Sequence, residues 1–234
     1  MRNPIRKSWH LVAAVLLCFA SHGFAQQTAS MTLTSGGTNV LDGVYVDTYT
    51  VSINGVSTQV ICDDYRDDSY IGESWTANVA NFSNLSGTQN TTEWGLGAKA
   101  TQDYNEAAWL TLQMLSTTNK MTAGEIQFAI WGVFDPSAIP NLTSYNSNDG
   151  AAAQRWLNNA ASQTWTQNEF SQFSVYSANT SDPITCNGGP CPSSPPQEFL
   201  AVAESPFVIT LGADLLGLAL AALIFRRRLV RAIS

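Results

Sequence analysis

Residues 49–62 read YTVSINGVSTQVIC, and this stretch decides how the rest of the chain is arranged. Its central Asn54-Gly55 pair is a strong signal for a two-residue hairpin turn, because both central positions need a positive φ that Asn and Gly tolerate. A turn there pairs Ile53 with Val56, Val51 with Thr58, Tyr49 with Val60 and Asp47 with Cys62. Side chains alternate along a strand, so Tyr49, Val51, Ile53, Val56, Val60 and Cys62 share one face. Cys62 ends a strand on its apolar side.

Working outward, SWTANVANF (74–82) reads as a further strand, and FSQFSVYSA (170–178) and QEFLAVA (197–203) as two closing strands. Helical spacing appears between them. Asp103 and Glu106 have the spacing of a capping box at the helix YNEAAWLTLQML (104–115), and residues 151–161 form a third helical stretch. Between these, Thr122 and Glu125 repeat the capping spacing ahead of EIQFAIWGVF (125–134), where Ile126, Ala129, Ile130, Val133 and Phe134 make an apolar stripe. Gln127 falls on the edge of that stripe, within the expected first turn. A buried primary amide must find partners for its donors and acceptor, at a cost of about 1–3 kcal/mol if it does not.

The expected fold class is α+β: a β-sandwich or barrel-like sheet with an inserted helical subdomain, plus one C-terminal transmembrane helix. The expected domains are a signal peptide over 1–25, an extracytoplasmic domain over 26–203 and an anchor segment over 204–234. Arg2, Arg6 and Lys7 precede the apolar run LVAAVLLCF (11–19), with Gly23 and Ala25 as the small residues before cleavage. Near the other end, the 19 residues from Phe207 to Phe225 carry one charge, Asp214, and then meet Arg226, Arg227, Arg228 and Arg231. That length and basic stop are those of a bilayer span with a cytoplasmic arginine end.

Removing a signal peptide takes both histidines, His10 and His22, with it. What remains cannot run a Ser-His-Asp or Cys-His mechanism and lacks the commonest zinc ligand. No cofactor is expected. Between Gln26 and Ser205, four basic residues (Arg66, Lys99, Lys120, Arg155) face seventeen acidic ones, a net charge of −13 that repels nucleic acid. The acidic residues crowd only in CDDYRDDSYIGE (62–73), with Asp63, Asp64, Asp67, Asp68 and Glu73. These oxygens suit calcium, but they lack EF-hand spacing, so a solvated acidic loop is expected, with Asp63, Asp64, Asp67 and Asp68 as weak metal candidates.

Cysteine arithmetic leaves one thiol over. Cys186 and Cys191 are close enough in TCNGGPCP (185–192) to close a small disulfide ring in an oxidising compartment, within a loop over 184–197 expected to be an appendage. Cys62 is left unpaired. It is either a small core hydrophobe or chemically employed.

The segments VICDDY (60–65) and IQFAIW (126–131) resemble the thioester domain of bacterial surface adhesins, in which a Cys after apolar residues and a Gln in an apolar-Gln-x-Ala-Ile-Trp helix join side chain to side chain. Ile126, Gln127, Ala129, Ile130 and Trp131 match the Gln motif, and the likeness covers roughly residues 40 to 135. Ile61 departs from the aromatic or leucine that often precedes the family's cysteine. The resemblance implies a Cys62–Gln127 thioester that captures an amine- or hydroxyl-bearing surface protein or polysaccharide once per molecule, without turnover. The amino end of the Gln127 helix is expected to favour the attacking thiolate.

The tail is similar to the PEP-CTERM sorting signal of Gram-negative bacteria. AESPF (203–207) supplies Glu204, Ser205 and Pro206 but has Ala203 in place of the first proline, and Arg226, Arg227 and Arg228 stand at the arginine cluster. That likeness implies export, anchoring in the inner membrane or release at the surface, and an exosortase-type processing enzyme. A different class of function stays open: a noncovalent module binding carbohydrate or calcium through the acidic loop and Tyr65, Tyr70 and Trp75. In that case Gln127 hydrogen-bonds a loop carbonyl and Cys62 is inert core.

Overall fold

The computed structural model describes residues 27–87, 92–95, 98–166, 169–187, 191 and 194–202. Nine strands and four α-helices are present among them. The strands are β1 (Thr28–Ser35), β2 (Val40–Leu41), β3 (Val44–Tyr45), β4 (Tyr49–Ile53), β5 (Val56–Cys62), β6 (Glu73–Asn81), β7 (Phe173–Ala178), β8 (Thr185–Cys186) and β9 (Phe199–Val202). The helices are α1 (Ala98–Ser116), α2 (Lys120–Phe134), α3 (Ala138–Tyr145) and α4 (Ser147–Ala161), all between β6 and β7.

The β4–β5 hairpin forms in the expected register, with Tyr49 opposite Val60, Val51 opposite Thr58 and Ile53 opposite Val56. Asn54 and Gly55 have φ of 52° and 85°, the left-handed values that the tight turn demands. The ladder stops at Tyr49, so the Asp47–Cys62 pair does not form; Cys62 lies opposite Phe199 of β9 instead. Val56 also departs from the expected face pattern, being 65% exposed beside the turn.

The sheet corrects the sandwich form of the expected architecture and takes the barrel-like one. Strands run in the order β1-β4-β5-β9-β7-β6, and β6 pairs again with β1, so six antiparallel strands close into a barrel. Closure removes the two open edges that a sandwich would have to protect. Alternation then sorts the side chains into two cores. Met31, Val51, Val60, Cys62, Trp75, Ala77 and Phe199 fill the interior. On the outside, Ile61, Ala80, Val175 and Leu200 pack against Tyr104, Ala107 and Ala108 of α1 and Ile126, Ala129 and Ile130 of α2.

Among the described residues, no helix is long and apolar enough to cross a membrane. The residues assigned to the expected transmembrane helix, with Glu204, Ser205, Pro206, Arg226, Arg227 and Arg228, lie outside the described residues, as does the expected signal peptide over 1–25.

Both capping boxes are displaced. Helix α2 begins earlier, with Asn119 as its cap; the Asn119 side chain accepts from the N–H groups of Met121 and Thr122 at 3.0 and 3.2 Å. Asn is as good a cap as Thr, and a cap three residues upstream preempts it. Asp103 and Glu106 lie inside α1, where Asp103 accepts from Lys99 at 2.5 Å and Glu106 from Gln102 at 2.9 Å. These are i, i+4 pairs on a helix surface and not caps.

Candidate functional site

The end of β5 carries three consecutive residues that point to different places. Cys62 turns into the barrel, Asp63 away from it and Asp64 into the loop before β6, and all three are fully buried. Helix α2 closes this end of the barrel. Gly124 lets it come close, because a Cβ there would stand 3.0 Å from Leu41 and 3.1 Å from Val46. Phe128 and Trp131 then reach Tyr65, with ring centroids 6.0 and 5.2 Å away.

This packing delivers Gln127 to Cys62. Both are 0% exposed, and the Gln127 Nε2 donates to the backbone carbonyl of Cys62 at 2.6 Å. The Gln127 Oε1 is buried without a hydrogen-bond partner. The Cys62 thiol donates to the Asp64 carbonyl at 3.0 Å, and Gln197 Nε2 donates to the same oxygen at 3.0 Å. Cys62 is the free cysteine of the described residues, since Cys186 and Cys191 form a disulfide with Cα atoms 5.3 Å apart. Cys186 belongs to β8, which pairs with Glu73 and Ser74 of β6, so the ring is tied to the barrel and is not an appendage.

The expected help from the α2 helix end does not operate. Gln127 lies beyond the first turn that starts at Lys120, where the terminal N–H groups no longer act. Burial, followed by the negative charges of Asp64 and Asp63, pushes the Cys62 thiol well above its ordinary value. The resting group is therefore the neutral thiol.

The acidic run is not the solvated loop that the sequence implied. Asp63, Asp64 and Glu73 are each 0% exposed, and only Asp67 and Asp68 keep solvent contact. Asp63 meets a residue that sequence reasoning missed, Glu198, at the start of β9. Tyr104 donates to Glu198 Oε1 at 2.5 Å, the Glu93 N–H donates to Oε2 at 2.7 Å, and the Ser177 hydroxyl also donates to Oε2. The signal available was a lone glutamate at the head of an apolar strand. Burial raises the Glu198 carboxyl, and burial followed by the Glu198 charge raises Asp63 well above the carboxylate range. Neither oxygen of Asp63 has another partner.

Glu93 closes the group from the other side. Its pKa is pushed up to about 8 by desolvation and then by Asp64, Glu198 and Asp67. Arg66 is the nearby cation, but its Nε donates to Asp135 at 2.9 Å and its guanidinium lies 5.0 Å from the Trp94 ring centre. The aromatic surface patch does not form, because Trp75 is 4% exposed inside the barrel. A cleft of about 230 Å³ opens on the outer side of this end, walled by Tyr49, Tyr65, Trp131, Asp64, Asp67 and Gln197; Cys62 and Gln127 are not among its walls. No protein-family model, curated protein or solved structure matches the chain.

Proposed function

We propose that the chain is an exported surface protein in which Cys62 and Gln127 join as an internal thioester that captures an amine or hydroxyl target once. The observation that carries this is the contact itself. A buried amide bonded at 2.6 Å to the backbone of the free cysteine has its carbonyl oxygen unpaired, on a motif resembling the adhesin thioester domain. A conventional core would fill this space with apolar groups or satisfy the oxygen.

The chemistry balances without a cofactor. The Cys62 sulfur bonds to the Gln127 side-chain carbonyl carbon, the carbon–nitrogen bond breaks, and the thiol proton leaves with the nitrogen as ammonia. Because the thiol is neutral at rest, proton transfer accompanies attack, and the Asp64 carbonyl that accepts its hydrogen bond orients the sulfur. A target amine entering by the Tyr65–Trp131 cleft then bonds to the same carbon and returns a proton to sulfur, leaving a Gln127 amide and a Cys62 thiol. Acidic walls favour the approach of a positively charged amine over a neutral hydroxyl. The Cys186–Cys191 disulfide fits an oxidising compartment.

Intact mass spectrometry tests this directly. The purified protein is expected one ammonia lighter than its sequence, to take up methylamine at Gln127 and to release one thiol, whereas Cys62→Ala does none of these. Folded wild type with its full ammonia content and no uptake would replace covalent capture with noncovalent binding.

A further inference from the structure

We propose that Asp64, Asp67 and Glu93 form a calcium site that fastens the loop after β5 to the segment ahead of α1. One carboxylate oxygen from each lies within 4.8 Å of the others. Oxygens that bind one calcium ion at about 2.3–2.6 Å can be up to roughly 5 Å apart, so a single ion can touch all three. The donors are all oxygen and come from two segments outside helices and strands, which suits calcium better than magnesium, whose smaller shell demands stricter geometry.

A second observation is independent of the spacing. Asp64 is fully buried, and its Oδ1 accepts from the N–H groups of Arg66 and Asp67 at 2.7 and 3.3 Å. Its Oδ2, equally buried, has no partner. A carboxylate oxygen held out of water without a donor costs several kcal/mol unless a cation meets it. Protein cations do not fill this role: Arg66 is committed to Asp135 and Trp94, and Asp63 and Glu198 add further carboxyls on the inner side. Asp68, one of the residues suggested by the sequence, is not part of the set, and Glu93 joins it from 26 positions beyond Asp67.

The consequence reaches the cleft, because Asp64 and Asp67 are two of its walls. A bound ion fixes the loop that frames the approach to Cys62 and Gln127, and this holds whether or not the thioester forms.

The test uses the purified full chain stripped with EDTA. Terbium, which replaces calcium on oxygen ligands, is titrated while its luminescence is excited through Trp94; calcium and magnesium are then used as competitors. Saturable binding displaced by calcium well before magnesium is expected, with a thermal midpoint that rises when calcium is restored. Asp67→Asn, at a half-buried position, and Glu93→Gln, at an exposed one, should each weaken calcium binding at least tenfold and abolish the rise. Asp42→Asn, at a turn position with φ of 52° that Asn accepts, should bind as wild type does. Circular dichroism verifies the fold of each variant. No saturable binding at millimolar calcium, or Asp67→Asn and Glu93→Gln variants that bind like wild type, overturns the site.

Discussion

The two ends of β5 are built on opposite principles. At the Val56 end, a two-residue turn with both φ values positive returns the chain directly to β4, and only the bonds between Asn54 and Ser30 of β1 reach beyond the hairpin. At the Cys62 end, residues from β5, β9, α1, α2 and the segment before α1 meet around three buried side chains. Local chemistry sets the first end and would set it in almost any fold. The second end exists only because the barrel closes and α2 caps it. The polar burden differs in the same way: the turn keeps its polar groups in water, whereas the far end takes two aspartates, a glutamate and a glutamine out of it.

The sharpest way to break that contrast is at Glu198. Glu198→Ala strands the Tyr104 hydroxyl, the Ser177 hydroxyl and the Glu93 N–H, and is expected to cost about 3 kcal/mol or more in urea denaturation. Glu198→Gln keeps an acceptor and removes a charge beside Asp63, so it should lie within about 1 kcal/mol of wild type. Equal losses from both variants would mean that the charge, and not the hydrogen bonding, matters there.

Gln127→Ala comes next. It leaves the Cys62 carbonyl unpaired and opens a small cavity, for an expected loss of about 2 kcal/mol in the same assay, apart from any effect on the thioester. A negligible loss would show that the amide is not held by this bond.

The third effect is on pH. Asp63 and Glu198 both have carboxyls raised in the folded state, so over a range above the ordinary carboxylate pKa the folded chain holds protons that the unfolded chain has released. The stability they contribute is complete below the unfolded pKa and is lost as pH rises through the folded values. In EDTA the thermal midpoint should therefore fall between pH 5 and pH 8, by roughly 2–4 °C for each 1 kcal/mol lost in a chain of this size. A midpoint that rises over the same interval would contradict the buried carboxyl pair.

The smallest effect should be at the turn. Asn54→Ala loses the tolerance of Asn for the left-handed φ of 52° and removes the side-chain oxygen that accepts from the Ser30 N–H at 2.9 Å. About 1 kcal/mol is expected, with the register of Tyr49 and Val60 retained by amide exchange. A shifted register would show that the turn does more than its local chemistry requires.

The hairpin, the inward face of Cys62, the apolar stripe of α2 and the nearness of Cys186 to Cys191 were all legible in sequence, because each depends on periodicity or on neighbours a few residues apart. The helix starts were not, since Asn119 and Thr122 are comparable caps and the one three residues upstream preempts the other. The burial of the acidic run was hidden for a related reason. Alternation says which way Asp63 faces, but not that the β5–β9 ladder sets Cys62 opposite Phe199 and so brings Glu198 beside it. Sequence periodicity encodes the face a residue presents. Which distant chain covers that face, and whether a carboxyl there meets water, another carboxyl or a cation, is decided when the barrel closes, because solvation and charge energies depend on distances that only the tertiary fold defines.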